Sequence, residues 1–551
     1  MTSTIDHFAN AYVQKILDTQ PEYVTSLGRA GADESTFSDL SYAGEEARVD
    51  FARSELAELV KLEPENENDE ITKAALSESL ALEIEYFDAG EYADINNIAS
   101  TIQSTAEIFD LMNHETDEDW AMIARRLAAV PDALAGYQDA LAHRAAHGAP
   151  TAAYQIELAI KETAQKASEQ SQFVELAQRG ASASPINAQP LKEGADAARA
   201  AYARLSDFLA KEIAPHGTEK DAFGYERYER RIRTSTGARL DLDETYEWGI
   251  SELERIVTAQ EDVARTLYGE GTTIEEAISR LNADPARQAH GTDELQQWMQ
   301  HTADQALADL DGVHFDIPGP LKTIECMIAP SGTGAIYYTG PTSDFSRPGR
   351  MWWSVPDGTD TFNLWQEKTT VYHEGVPGHH LQVGLATYLA DSLNDWRREL
   401  CWNSGSGEGW ALYAEGLMAE LGYQDDPGDY MGVLDSERLR ASRVVLDIGV
   451  HLEKPSPAKY RHINPTWNRE VAWEFLKDNV AMDRSFLQFE LNRYLGWAGQ
   501  APSYKIGHRL WQQMRAEAAA AAGPDFDLKA WHMKALSLGS VGLDLTAKVL
   551  R

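Results

Sequence analysis

Through the first 310 residues, apolar positions fall three and four apart with charged positions between them, the spacing that lines one face of an α-helix. The stretches ESLALEIEYFDAGEYADINNI (78–98) and DWAMIARRLAAVPDALAGYQDALAHRAAHG (119–148) follow it. So does AAYQIELAIKETAQKASEQSQFVELAQ (152–178), which the spacing predicts to be one long helix. After the loop GASASPINAQPL comes EGADAARAAYARLSDFLAKEIAPHG (193–217), and the segment from 237 to Leu310 keeps the same period. Polar breaks fall at KLEPENENDEIT (61–72) and AHGAPTAA (146–153), where Gly148 ends one helix and Pro150 restarts the next. The pattern predicts antiparallel helices with short connections and no fixed-period repeat.

Between 311 and 365 the pattern changes. HFDIPG, TIECMIAP, GAIYYTG and RMWWSVPD are short β-branched or aromatic runs separated by Gly and Pro, and they predict the strands of one small sheet. After Trp365 the helical period returns in EKTTVYHEG, LQVGLATYLADSLNDWRREL, GEGWALYAEGLMAEL and YMGVLDSERLRASRVVLDIGVHLE. The expected organisation is a helical region 1–150, a second helical region 151–310 and a third, 311–551, that holds the sheet and the motifs below. One compact unit overall, or a boundary near 150–185, is compatible with this pattern.

The chemistry-bearing residues concentrate in two stretches, VYHEGVPGHHLQ (Val371–Gln382) and GEGWALYAEGL (Gly407–Leu417). A helical His-Glu-x-x-His pair places two metal ligands one turn apart, with the Glu beside the first addressing a water. Here the residue four after His373 is Pro377, and the histidines fall at 379 and 380. On a straight helix those spacings separate the side chains by about 9 to 10.5 Å, too far for one zinc. The helix must therefore be interrupted. Pro377 cannot donate a helical hydrogen bond and clashes with the carbonyl of residue 373, and Gly378 tolerates unusual dihedrals. A bulge of about two positions there brings His379 back to the place a histidine four residues after His373 would occupy. Glu408 supplies a carboxylate 28 residues after His380. Glu415, seven residues further on and on the same helical face, either orients a ligand histidine or makes a surface ion pair.

Charge narrows the partners. The chain has 88 Asp plus Glu against 49 Lys plus Arg and a formal net charge of -39, which opposes binding to nucleic acid and anionic membranes. Two cysteines, Cys326 and Cys401, make neither a disulfide framework nor a Cys-rich metal site. The opening residues have no basic start followed by an apolar core, and no run of 18 apolar residues occurs. The expectation is a cytoplasmic protein with no nucleic-acid or membrane partner and an open oligomeric state. No phosphate-binding Gly-rich loop or nucleophile elbow fits the chain.

HEGVPGHHLQ together with GEGWALYAEGL is similar to the bacterial family DUF885, which resembles the helical zinc metallopeptidases of the angiotensin-converting-enzyme and oligopeptidase type. The resemblance implies a mainly α, large helical metallopeptidase-like fold with a small sheet beside an active-site cleft. It implies one zinc per chain, with His373, His379 and Glu408 as ligands (His380 as the alternative to His379) and Glu374 as general base. His451 resembles a transition-state histidine of those peptidases, with Asp447 four residues earlier on the same helical face. RYLGWAGQAPSYKIG resembles a further family segment and contributes Gln500, Tyr504 and Lys505, the phenol as an oxyanion donor and the ammonium as a grip on a peptide carboxylate. Arg438, Arg440 and Arg443 form a basic patch, with Arg443 the substrate candidate. Tyr337, Tyr338 and Arg347 are candidates for contacting an extended substrate on an edge strand. The implied activity is hydrolysis of small peptides through a metal-activated water. A zinc amidase or esterase and a non-catalytic binding protein are the alternatives.

Overall fold

The computed structural model describes residues 3–29, 33–329, 336–356 and 358–551. By its contacts the chain divides into two units, Met1–Glu226 with Gln488–Ala498, and Arg227–Leu487 with Gly499–Arg551. The fold is mainly α-helical with two small β-sheets.

In the first unit the helical period does what it predicts. Helix α1 (Asp117–His147) starts at a capping box, in which the Thr116 hydroxyl accepts from the Asp119 amide and the Asp119 carboxylate accepts from the Thr116 amide. It buries Trp120, Ile123, Leu127, Val130, Leu134, Tyr137 and Leu141. These pack against α2 (Ala188–Phe208), whose buried residues are mostly small: Gly194, Ala195, Ala198 and Ala201. A Cβ on Gly194 would stand 2.7 Å from that of Leu127, so glycine permits the close crossing. The stretch 152–178 is two helices, Ala153–Ala167 and Gln172–Ala183, rather than one. Ser171 breaks it by accepting from the Phe173 amide, a local bond that competes with helix propagation.

The second unit holds the motifs. After α3 (Leu242–Tyr268) come β1 (Gln288–His290), β2 (Ile324–Ile328), β3 (Ile336–Thr339), β4 (Gly349–Trp353) and β5 (Thr361–Asn363). β1 and β5 pair antiparallel. The other three form a sheet in the order β2-β4-β3, parallel between β2 and β4 and antiparallel between β4 and β3. Two small sheets thus stand where one was expected. HFDIPG is no strand: Phe315 makes only an isolated bridge to Asp311, buries its ring against His532, and Pro318 leads into a 3-10 turn at Gly319–Leu321. Residues 330, 334, 335 and 357, which fall in the expected strand runs TIECMIAP, GAIYYTG and RMWWSVPD, lie outside the described residues.

Among the helices that follow, the ones that frame the motifs are α4 (Leu364–Glu374), α5 (His379–Tyr388), α6 (Ser404–Glu420), α7 (Pro427–His451) and α8 (Ser503–Ala522). α4 packs against α6 and α7, and α6 against α8. Glycines set these crossings. A Cβ on Gly432 of α7 would meet the Trp365 carbonyl of α4 at 2.2 Å, and one on Gly409 of α6 would meet the Gly507 backbone of α8 at 2.5 Å.

Candidate metal centre

The helix carrying His373 ends at Glu374, and the next begins at His379. Between them, Gly378 folds back so that its amide donates to the Tyr372 carbonyl at 3.1 Å. A Cβ on Gly378 would lie 1.9 Å from the His373 carbonyl oxygen, so this return needs glycine for its closeness. The Trp410 indole of α6 donates to the Pro377 carbonyl at 2.9 Å and ties the linker to the helix that bears Glu408.

The fold-back brings the two histidines together. The rings of His373 and His379 lie 5.0 Å apart at 90°, and both Nε2 atoms face one oxygen, Oε2 of Glu408, at 3.4 and 3.5 Å. The three donors lie within 4.8 Å of one another, and both imidazoles are buried. A tetrahedral zinc with bonds of about 2.0–2.1 Å has donor–donor edges of about 3.3–3.4 Å, so the separations from Glu408 fit such an ion. Two imidazole nitrogens and one carboxylate also form the donor set of open catalytic zinc sites. His380 points elsewhere. Its Nε2 donates to the Leu321 carbonyl at 2.8 Å and its Nδ1 accepts from the Tyr338 hydroxyl at 2.9 Å. Both nitrogens are committed, and burial pulls its pKa down to about 4.

Behind His373, Nδ1 meets Glu415 Oε1 at 2.8 Å. The other oxygen of Glu415 accepts from Thr369 at 2.6 Å and Ser436 at 2.9 Å, and the Ser436 hydroxyl accepts from Arg440 at 2.7 Å. Burial alone would raise the Glu415 pKa, but the bond from His373, the Arg440 charge and the Thr369 hydroxyl bring it to about 2. Glu408 behaves alike: burial opposes its charge, and the two histidines hold it well below the ordinary carboxylate range. Burial would lower His373, yet its bonds to Glu408 and Glu415 raise it. Glu374 is also buried. Burial raises its pKa, with His379 and His373 pulling the other way, and its carboxylate has no hydrogen bond among the described residues.

The family described as "Bacterial protein of unknown function (DUF885)" matches residues 21–550. The chain belongs to that family. Among solved structures, this DUF885 protein is similar to a "putative lipoprotein" from Colwellia psychrerythraea, with 22% identity, a TM-score of 0.84, and coverage of 100% of this chain and 99% of that one. It is also similar to a "putative lipoprotein of unknown function" from Shewanella oneidensis, with 18% identity, a TM-score of 0.76 and full coverage of both chains. At these identities the likeness establishes the fold. No curated protein matches the chain. The lipoprotein descriptions overturn the expectation of a cytoplasmic protein without a membrane partner. Net charge and hydropathy describe the folded body, whereas a lipid anchor requires neither an apolar helix nor a basic face. Among the described residues, no helix is long and apolar enough to cross a membrane.

The remaining candidates of this DUF885 chain are placed as follows. Tyr338 is bound to His380, and Gly349 makes room for that bond, since a Cβ there would meet the Tyr338 oxygen at 1.9 Å. Tyr337, on the opposite face of β3, is 41% exposed and stacks on Trp352. Arg347 closes its own loop through the Gly340 and Pro348 carbonyls. The Arg443 guanidinium lies over the Tyr504 ring, 5.1 Å from its centroid. Gln500 reaches the Ser404 hydroxyl at 3.4 Å. Asp447 accepts from the Tyr228 hydroxyl at 2.7 Å and the Gly499 amide at 2.9 Å, while the His451 ring stacks on Tyr228. Lys505 is enclosed by Glu252 at 3.0 Å, Glu437 at 3.1 Å and His508 at 3.1 Å, so its three donors are spent inside the protein. Thr369 and Ser436 were not anticipated. Thr369 sits one helical turn before His373 and is recoverable from spacing; Ser436 carries no sequence signal.

Proposed function

We propose that the protein is a metal-dependent hydrolase, with zinc held by His373, His379 and Glu408, and that it cleaves small peptides. The observation that carries this reading is the convergence of two buried imidazole Nε2 atoms on a single carboxylate oxygen. A zinc ion bound there supplies Lewis acidity, polarising a carbonyl and lowering the pKa of water. Glu415, braced by Thr369 and Ser436, fixes the tautomer and orientation of His373. Glu374 takes a proton from the attacking water and delivers it to the departing nitrogen. Its burial supports that role, because a raised carboxyl pKa lies closer to neutral pH, where proton transfer is efficient. The ligand pattern supports kinship with helical zinc peptidases, and the descriptions of the two structural relatives support a membrane-associated setting.

Metal content by plasma mass spectrometry on protein purified without a metal-binding tag tests the site. About one zinc per chain is expected in wild type, retained in His380→Ala and lost in His379→Ala. Glu374→Gln is expected to keep its zinc while peptide turnover falls at least about 100-fold. A wild-type rate in Glu374→Gln would remove the general base, and a zinc-free wild type after zinc supplementation would remove the metal site.

A further inference from the structure

Trp402 lies on the segment between Leu400 and α6, and its side chain is 52% exposed. A half-exposed indole forgoes much of the burial free energy that a tryptophan offers, so its placement calls for a cause. The ring is not loose. A Cβ on Gly407 would stand 2.4 Å from its Cη2 and 2.6 Å from its Cζ2, so the indole rests directly on the first turns of α6. The other glycines of SGSGEG serve different neighbours, Gly405 facing the Thr236 backbone and Gly409 facing Gly507. The bare position at Gly407 is thus occupied by Trp402. Gly407 immediately precedes Glu408, and the Trp402 centroid lies 6.2 Å from that of His379 with the rings tilted by 51°. A rigid aromatic surface, partly open to solvent, stands beside two of the three candidate ligands.

We propose that Trp402 determines specificity: its exposed indole surface forms the wall of a subsite for a bulky apolar side chain on the residue flanking the peptide bond that is cut. This rests on the peptide-hydrolase reading above. A tryptophan already seated on its helix loses little conformational freedom when a ligand packs on it, and aromatic pairs gain beyond area burial.

The test compares alanine hydroxamate with phenylalanine hydroxamate, which share a metal-binding group and differ by one phenyl ring. Binding to the zinc-loaded full chain is measured by calorimetry for wild type, Trp402→Ala and Trp402→Phe, with zinc content measured alongside. Wild type is expected to prefer the phenylalanine compound about tenfold. Trp402→Ala is expected to cut that preference to about twofold or less with alanine hydroxamate affinity and zinc content unchanged, and Trp402→Phe to keep most of it. An undiminished preference in Trp402→Ala, or an equal loss for both compounds, overturns the subsite while leaving the metal site standing. If neither compound binds zinc-loaded wild type, the hydrolase reading fails and the subsite falls with it.

Discussion

Each histidine of VYHEGVPGHHLQ has two ring nitrogens, and the role open to it follows from where the other bonds of the ring go. His373 spends Nδ1 on Glu415 and turns Nε2 towards Glu408. His379 also presents Nε2 to Glu408. His380 spends both nitrogens on Tyr338 and Leu321 and becomes a strut between β3 and α5. The sequence favoured His379 and left His380 as the alternative, because adjacency says nothing about ring direction. Glu415 was legible at this scale, since seven residues restore the helical phase of Glu408. Its importance is open to measurement: Glu415→Gln keeps the shape but removes the charge that holds His373, and zinc affinity is expected to fall about 10–100-fold in a competition titration with a chelator. Unchanged affinity would mean that His373 needs no such support.

Helix ends and crossings decide the next level. The break at Pro377-Gly378 was legible because proline cannot continue the helix and a straight one fails the ligand distance. What actually requires glycine at 378 is the approach of the His373 carbonyl, a tertiary contact invisible in the sequence. Gly378→Ala is therefore expected to destabilise the protein by about 3 kcal/mol in denaturant titration and to lose zinc. A variant of wild-type stability with its zinc intact would show that the linker has slack. Lys505 shows the converse. In an acidic protein a lone lysine beside a family-like motif invites a substrate role, but α3, α7 and α8 converge on it with Glu252, Glu437 and His508. Lys505→Met would leave two carboxylates without their shared cation, and a loss of about 3 kcal/mol is expected. A wild-type melting temperature with a raised KM instead would restore the lysine to substrate binding.

For the molecule as a whole, the acidic excess and the buried carboxylates shape stability against pH. Glu367 on α4 has its pKa pushed up to about 7 by burial. The folded state thus holds that proton more tightly than the unfolded chain does, so its contribution is complete below about pH 4.5 and is lost as pH rises through 7. Glu367→Gln, unable to ionise, is expected to be more stable than wild type by about 1–2 kcal/mol at pH 8, with the gain vanishing near pH 4. Denaturant midpoints across that range would check it, and a gain that persists at pH 4 would point to packing instead.

From the sequence alone came the helical character, the place of the β-region, the interruption at Pro377 and the short set of residues from which the metal cluster is drawn. These are local consequences of side-chain period, backbone restriction and spacing along the chain, which one strand of residues carries by itself. The tertiary structure alone decided that His379 and not His380 faces Glu408, that Ser436 braces Glu415, that Lys505 is spent on Glu252 and Glu437 and that residues 488–498 join the first unit. Each of these depends on which groups from distant parts of the chain arrive within hydrogen-bond or van der Waals reach, and such distances are set by packing rather than by sequence separation.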